Sequence, residues 1–431
     1  MTTKTRYGLL GAGFVVFLVV APLLVLYVQG KLVHFGTGAS ELTGIISAKT
    51  TPSGAAIFIA DKQVAETPGA VRFLASGDYP VSIQKKGYKL WEKHLQVLAG
   101  KVTYANANPT NLLLLKDSHP QTITNLKTTS IPLGNTIVYA TAKNGLLLAR
   151  GPNYSESTSF SLPSTATELV PDADGRHLLV RGNTFMGLLD SKTGKIIDYT
   201  KTFSNCYDIS LDQGQIWAIN SKSELIAKLT PTTDGLLVMA KNALSYKLHG
   251  KEIYYIATQA GTVELHHANI NDNSLLQDQI LLTNVPTGTK NQIFIDNTKA
   301  LFVLTDGNLW RINSVAEKIA SGVTKANTES GTLAYTLPGE LWWYDSSSNK
   351  GRLVSRSSTP FTDFYINPEL QYAFFSEGTE LLALELDDRF SQNRYILDTS
   401  KKDSSFSNLH FIEKNTLLYT SEDGLRTITL Y

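Results

Sequence analysis

Residues 215–228 read QIWAINSKSELIAK: an apolar strand, Gln215-Ile-Trp-Ala-Ile219, then a polar turn, then a second strand, Glu224-Leu-Ile-Ala227. Short apolar runs bounded by Asn, Ser and Lys predict strand–turn–strand and not helix. The same pattern recurs on both sides. Upstream it is Thr136–Ala140 with Gly145–Ala149, and His177–Val180 with Phe185–Leu189. Downstream it is Glu252–Ile256 with Thr262–His266, then Ala300–Leu304 with Asn308–Ile312, then Thr332–Thr336 with Glu340–Tyr344. Gln371–Phe375 with Glu380–Leu384 and Thr416–Thr420 with Leu425–Thr429 complete the series. Copies at about 40 residues match the period of propeller blades. One sheet with two apolar faces cannot cover both, whereas radially arranged copies cover one another. Residues 117–431 are therefore expected to form a β-propeller, with eight blades favoured and seven the alternative. The chain ends on a third strand, so Gln121–Leu126 is expected to supply the missing outer strand and close the ring.

Turn chemistry within this region is uneven. Pro171-Asp172-Ala173-Asp174-Gly175-Arg176 resembles the Pro-Asp-Gly turn of propeller repeats in bacterial envelope proteins, and other copies hold only pieces of it, such as Asn367-Pro368-Glu369. Asp172-Ala173-Asp174-Gly175 is similar to a fragment of a calcium loop but lacks the later ligands and the terminal Glu, so a turn is expected.

Ahead of the repeats, Gly8 to Val28 reads GLLGAGFVVFLVVAPLLVLYV and carries no charge. About 20 apolar residues span the hydrocarbon core as a helix. Lys4 and Arg6 precede the run and Lys31 follows it, which keeps the N-terminus cytoplasmic. The expected plan is a tail (1–7), a single-pass transmembrane helix (8–28), a spacer (29–43), a small β-sandwich (44–116) and the propeller, with everything after the helix extracytoplasmic. The apolar core is longer than that of a cleaved signal peptide, and Val28-Gln29-Gly30 is a poor cleavage site, which favours an uncleaved signal-anchor in the cell membrane. The lipid bilayer is then one partner.

Composition fits this plan. The chain has 431 residues, a formal net charge of +1 and 18% charged residues. Nothing in that balance points to nucleic acid. Cys206 is the only cysteine, so no internal disulfide forms, and in an apparent strand it is expected to be a buried small hydrophobe and not a nucleophile.

Between 44 and 116 the clearest strands are Ala56–Ile59, Tyr79–Gln84 and Trp91–Val97, with a shorter one at Ile45–Ala48. Gly54, Gly77 and Gly87 sit at turns where positive φ is expected. Pro52 and Pro68 lie outside the strands, where a missing N–H is harmless. Tyr79, Tyr88 and Trp91 supply apolar area to a small core.

The order of these landmarks resembles a PEGA domain. Thr51-Pro52-Ser53-Gly54-Ala55 stands for its Pro-Glu-Gly-Ala motif, Glu66-Thr67-Pro68 for its Gly-Thr-Pro turn, Leu74-Ala75-Ser76-Gly77-Asp78-Tyr79 for its Gly-acidic-Tyr step, and Lys86-Gly87-Tyr88 for its Gly-Tyr corner. Ala99-Gly100-Lys101 opens the last strand. Ser53 replaces the motif's Glu and Glu66 its Gly, with spacing preserved. The resemblance implies a noncatalytic spacer or binding module on an exported or surface protein.

Motifs for chemistry are sparse. Of eight histidines only His266-His267 are adjacent, and neighbours on a strand face opposite ways, which disfavours a shared ion. No HExxH, Gly-x-Ser-x-Gly, phosphate loop or dinucleotide fingerprint occurs. No catalytic residue, metal ligand or cofactor is expected. Asp387-Asp388-Arg389 reads as a solvated turn. Trp310, Trp342, Trp343 and Tyr344 are the candidate aromatic binding surface, near Phe364, Tyr365, Phe374 and Phe375, with packing between blades the simpler role. The expected function is that of a noncatalytic, membrane-anchored envelope protein whose propeller binds a protein or a cell-wall polymer. An extracellular propeller hydrolase or lyase acting on a glycan or peptide is the alternative, and it needs grouped acids or a metal. A mainly structural spacer is the third reading.

Overall fold

The computed structural model describes residues 3–28, 31–33, 40–106, 111–141, 143–151, 154–172, 174–228, 235–271, 274–346, 348–401, 404–412 and 414–431. Among the described residues one helix, Thr3–Val28, precedes a succession of strands. The helix covers the whole apolar run and contains Pro22. Among the described residues no helix is long and apolar enough to cross a membrane. The side chains described in this one are those of residues 10–22, 24 and 25. Half of the expected spacer, residues 29–30 and 34–39, lies outside the described residues, while Lys31–Val33 and Ser40–Leu42 pair as antiparallel strands.

The chain divides into two compact units. The first holds Met1–Ser118, Leu384–Tyr395 and Tyr431. Its larger sheet runs Lys62–Glu66, Ala56–Ile59, Gly77–Gln84, Trp91–Val97 in spatial order. The smaller runs Val102–Tyr104, Gly44–Ala48, Gly69–Leu74. Period-two burial in Trp91–Val97 turns residues 91, 93, 95 and 97 inward. Trp91, Leu95, Ile57, Ile83 and Ile46 form one buried cluster, with Tyr79 and Tyr88 packed on its margin. Gly54 and Gly87 take the positive φ values that their turns require, 72° and 82°. Gly77 does not: it is already the first residue of the strand Gly77–Gln84. The Thr51-Pro52 and Thr67-Pro68 peptide bonds are cis.

Lys93 is the exception on the apolar face, with its side chain wholly buried. Its Nζ lies 3.3 Å from Glu385 Oε2 and 3.0 Å from Asp387 Oδ2, and donates to the Asp387 carbonyl at 2.8 Å. Arg389 donates to Asp387 through Nε at 2.9 Å and Nη2 at 2.8 Å, and reaches the Tyr104 carbonyl at 3.1 Å. Trp91 Nε1 donates to Glu385 Oε1 at 3.1 Å, and Asn393 Nδ2 to Glu385 Oε2 at 2.8 Å. The expectation of a solvated turn at Asp387-Asp388-Arg389 is thus corrected: Asp387 is 2% exposed. Burial pushes its carboxyl up, but hydrogen bonds from Arg389 and the charge of Lys93 outweigh burial and hold it below the ordinary value.

The second unit holds His119–Ala383 and Ile396–Leu430. Among the described residues, eight four-stranded sheets account for its strands. Seven are built from consecutive strands, beginning with Ser130–Leu133, Ala166–Pro171, Cys206–Asp212, Ala243–His249, Asn291–Ile295, Lys325–Asn327 and Phe361–Asn367. The eighth begins with Ser407–Ile412 and takes its outer strand, Gln121–Thr124, from the start of the unit, which pairs with Gly424–Thr429. Each sheet is open, and neighbouring sheets bury their faces against one another. Leu148 and Val180 share a cluster between the first two sheets, Trp217 and Tyr255 between the third and fourth, and Phe302 and Tyr335 between the fifth and sixth. Ile137 and Tyr139 of the first sheet pack against Leu418 and Leu425 of the eighth. The architecture is mainly β and propeller-like.

Candidate functional site

The first strands of the sheets carry the irregularities that shape a site. In Cys206–Asp212 the ladder slips between Tyr207 and Ser210, and Asp208 adopts φ 50°. Ala243–His249 slips between Ala243 and Ser245. Such bulges twist a strand and re-aim side chains. The local geometry is fixed by Tyr246, whose hydroxyl lies 2.7 Å from the Asp208 carbonyl, 2.8 Å from the Trp217 carbonyl and 2.8 Å from Ser210 Oγ. Burial raises the Tyr246 hydroxyl far above its ordinary value, so it remains a neutral strut.

Two adjoining concavities share this strut in their linings. One, of about 540 Å³, is lined by Asp172, Asp208, Ser210, Asp212, Tyr246, Lys247 and His249 among others. The other, of about 450 Å³, is lined by Tyr207, Asp208, Tyr246, Lys247, Lys290 and Gln292 among others. Asp208, Tyr246 and Lys247 belong to both. Asp208 is exposed to solvent, and partial desolvation by the neighbouring cleft raises its carboxyl. Asp212 is raised by burial first, then by the nearby charges of Asp172 and Asp174. Carboxyls raised by desolvation inside a cleft are a mark of functional sites.

Asp172 itself is occupied. Its Oδ1 accepts from Gln213 N at 2.9 Å and Asp174 N at 3.3 Å, and its Oδ2 accepts from Gly214 N. Asp174 Oδ1 accepts from Arg176 N at 2.7 Å and His177 N at 3.0 Å, and Oδ2 meets His177 Nδ1 at 2.6 Å. Asp172, Asp174 and His177 bring three ligand-type atoms close together. The backbone N–H groups that fill Asp172 and Asp174 make this a tie between the second and third sheets. Ala173 lies outside the described residues.

The structure disperses the aromatic residues singled out in the sequence. Trp310 is half-buried against the cluster of Tyr254, Ile256 and Val303, with Lys318 Nζ 5.5 Å from its ring. Trp342 stacks on Tyr335 at 6.3 Å and donates Nε1 to Glu340 at 2.8 Å, while Tyr344 is buried edge-on to Phe302 at 5.2 Å. Trp343, on the other face of that strand, lies 5.7 Å from the Arg352 guanidinium. Phe364, Phe374 and Phe375 are buried, and Tyr365 packs on Phe411 at 4.7 Å. His266 and His267 face opposite ways, His266 stacked on Tyr255 and His267 tilted against Tyr254. Cys206 is half-buried at the start of its strand, and burial raises its thiol.

Sequence reasoning passed over Asp208, Asp212, Lys247 and Lys290. They lie apart in sequence on three different first strands or their approaches, and only the sheet packing gathers them. The Gln213-Gly214 turn after Asp212 was the one local sign that a strand ended there.

No curated protein matches the chain. Among solved structures it is similar to BamB from Moraxella catarrhalis, at 12% identity over 74% of this chain and 100% of that one, with a TM-score of 0.47. It is similar to the Dos1 propeller at 11% identity over 73% of this chain and 95% of that one, with a TM-score of 0.49. A eukaryotic initiation factor is 12% identical over 72% of this chain and 87% of its own, at 0.42. None of these is near enough to carry a function across. Residues 43–111 match the model of the PEGA domain.

Proposed function

We propose that this is a noncatalytic, membrane-anchored envelope protein whose second unit is an eight-bladed ring that binds a protein or a cell-wall polymer. One observation carries the binding reading. Asp208, Asp212, Lys247 and Lys290 line a concavity of first strands where Tyr207 is 46% exposed. Polar groups of both signs presented on a concave surface offer orientation and specificity to a ligand. The ring reading is supported by the outer strand Gln121–Thr124 and by packing of the first sheet on the eighth. The anchor is supported by the uncharged run and by helix side chains open to solvent, including Leu10, Phe14 and Phe17. The localisation proposed with it rests on the charge bias around the run: N-terminus cytoplasmic, everything after the helix outside.

Fractionation of native cells, followed by protease added to intact cells, tests the placement. The chain should sediment with membranes and lose its second unit to external protease. Recovery in the soluble fraction, or survival of the second unit while a known surface marker is digested, refutes it.

A second reading has its own observation. Asp208 and Asp212, each raised by desolvation, line the same cleft, and a hydrolase or lyase works with carboxyls raised in this way. Incubating the full chain with isolated cell-wall polymer and measuring new reducing ends or free amines decides this. Release that Asp208→Asn abolishes would establish the enzyme.

A further inference from the structure

The walls of the concavity are polarised. On the side of the second and third sheets stand Asp172, Asp208 and Asp212; on the side of the fifth stands Lys290, with Lys247 between. Asp172 is spent on backbone N–H groups and contributes only its field. Charge of one sign therefore faces the other across two adjoining linings that share Asp208, Tyr246 and Lys247.

This arrangement discriminates among ligands. A neutral glycan would cover Asp208, Asp212 and Lys290 without pairing them, and desolvating unpaired charge is costly. A uniformly anionic polymer would satisfy Lys290 and be repelled along the acidic wall; a uniformly cationic one suffers the reverse. A chain carrying both signs a few residues apart satisfies both walls, and Gln292 and Ser210 offer amide and hydroxyl groups beside it. We propose that the concavity binds an extended peptide segment, placing a basic side chain at Asp208 and Asp212 and a carboxylate at Lys290. This rests on the binding reading above and narrows it to peptide. Salt should weaken the complex because both contacts are open to solvent.

The test uses the full chain in detergent, immobilised, and a random-peptide library displayed on phage. Selected peptides should pair Lys or Arg with Asp or Glu. A synthetic copy should lose about tenfold or more in affinity against Asp208→Asn and against Lys290→Gln, as truncating one partner of a charge pair does. Reversal gives the sharper check: Asp208→Lys should recover binding when the basic residue of the peptide becomes Glu. Unchanged thermal melts of the variants separate lost binding from lost fold. Selected peptides that are neutral or of one sign, yet lose affinity on both substitutions, overturn this inference and leave the concavity as a binding site. An unenriched library, or peptides indifferent to both substitutions, counts against the inference and the site together.

Discussion

Lys93 is the residue that sequence patterning half disclosed. Alternation along Trp91–Val97 places it on the buried face beside Trp91 and Leu95. Its partners Glu385 and Asp387 are distant in sequence, and no local pattern points to them. Deleting one member of a buried ionic group leaves the others desolvated and unpaired, at about 3–5 kcal/mol. Lys93→Ala should lower the stability of the first unit by that amount in denaturant unfolding, while Glu92→Ala, on the exposed face of the same strand, should change little. The depressed Asp387 carboxyl sets a pH dependence. Its contribution is fully present above the unfolded value of about 3.9 and is lost as pH falls through the lower folded value. Unfolding measured between about pH 6 and about pH 3 should show a stability loss that Asp387→Asn flattens. Asp208 and Asp212 behave oppositely. Raised in the fold, they cost stability when ionised, so neutralising Asp208 as Asn should leave stability unchanged or slightly higher at neutral pH.

Among the elements, the second and third strands of each sheet were legible because they are buried on both faces and read as continuous apolar runs, such as Gln215–Asn220 and Glu380–Glu385. First strands were not. Cys206–Asp212 and Ala243–His249 are bulged, and their exposed polar residues break the alternation that marks a strand. The candidate site is built on those strands, whereas the aromatic residues singled out in the sequence lie on third strands, Asn308–Ile312 and Glu340–Asp345. The outer strand Gln121–Thr124 could be foreseen because a final sheet of three strands lacked a fourth. Its partner begins at Gly424, φ 126°, where an added Cβ would run into the Thr124 carbonyl. Gly424→Ala should cost at least about 1 kcal/mol and speed amide exchange at Leu425 and Arg426, which pair with that outer strand. The tie at Asp172 is a second such element. Asp172→Ala strips acceptors from the Gln213 and Gly214 amides and should cost about 1–3 kcal/mol in thermal or denaturant unfolding.

At the scale of the molecule, an uncharged apolar run is followed by a domain matched by the PEGA model and, among the described residues, by a succession of eight sheets. Periodicity was enough to foresee the succession, because neighbouring sheets must cover each other's apolar faces. Period alone left the count open between seven and eight, since the eighth sheet borrows a strand from the other end of the unit. What the surface receives depends on groups gathered by that packing. The most direct test is a photo-crosslinking amino acid placed at Gln292 in the concavity and, separately, at Val238, exposed on an outer strand of the third sheet. In intact native cells, Gln292 should give one discrete crosslinked product that Asp208→Asn reduces, and Val238 should give none. Identical products from both positions, or none from Gln292, would contradict a ligand seated on the first strands.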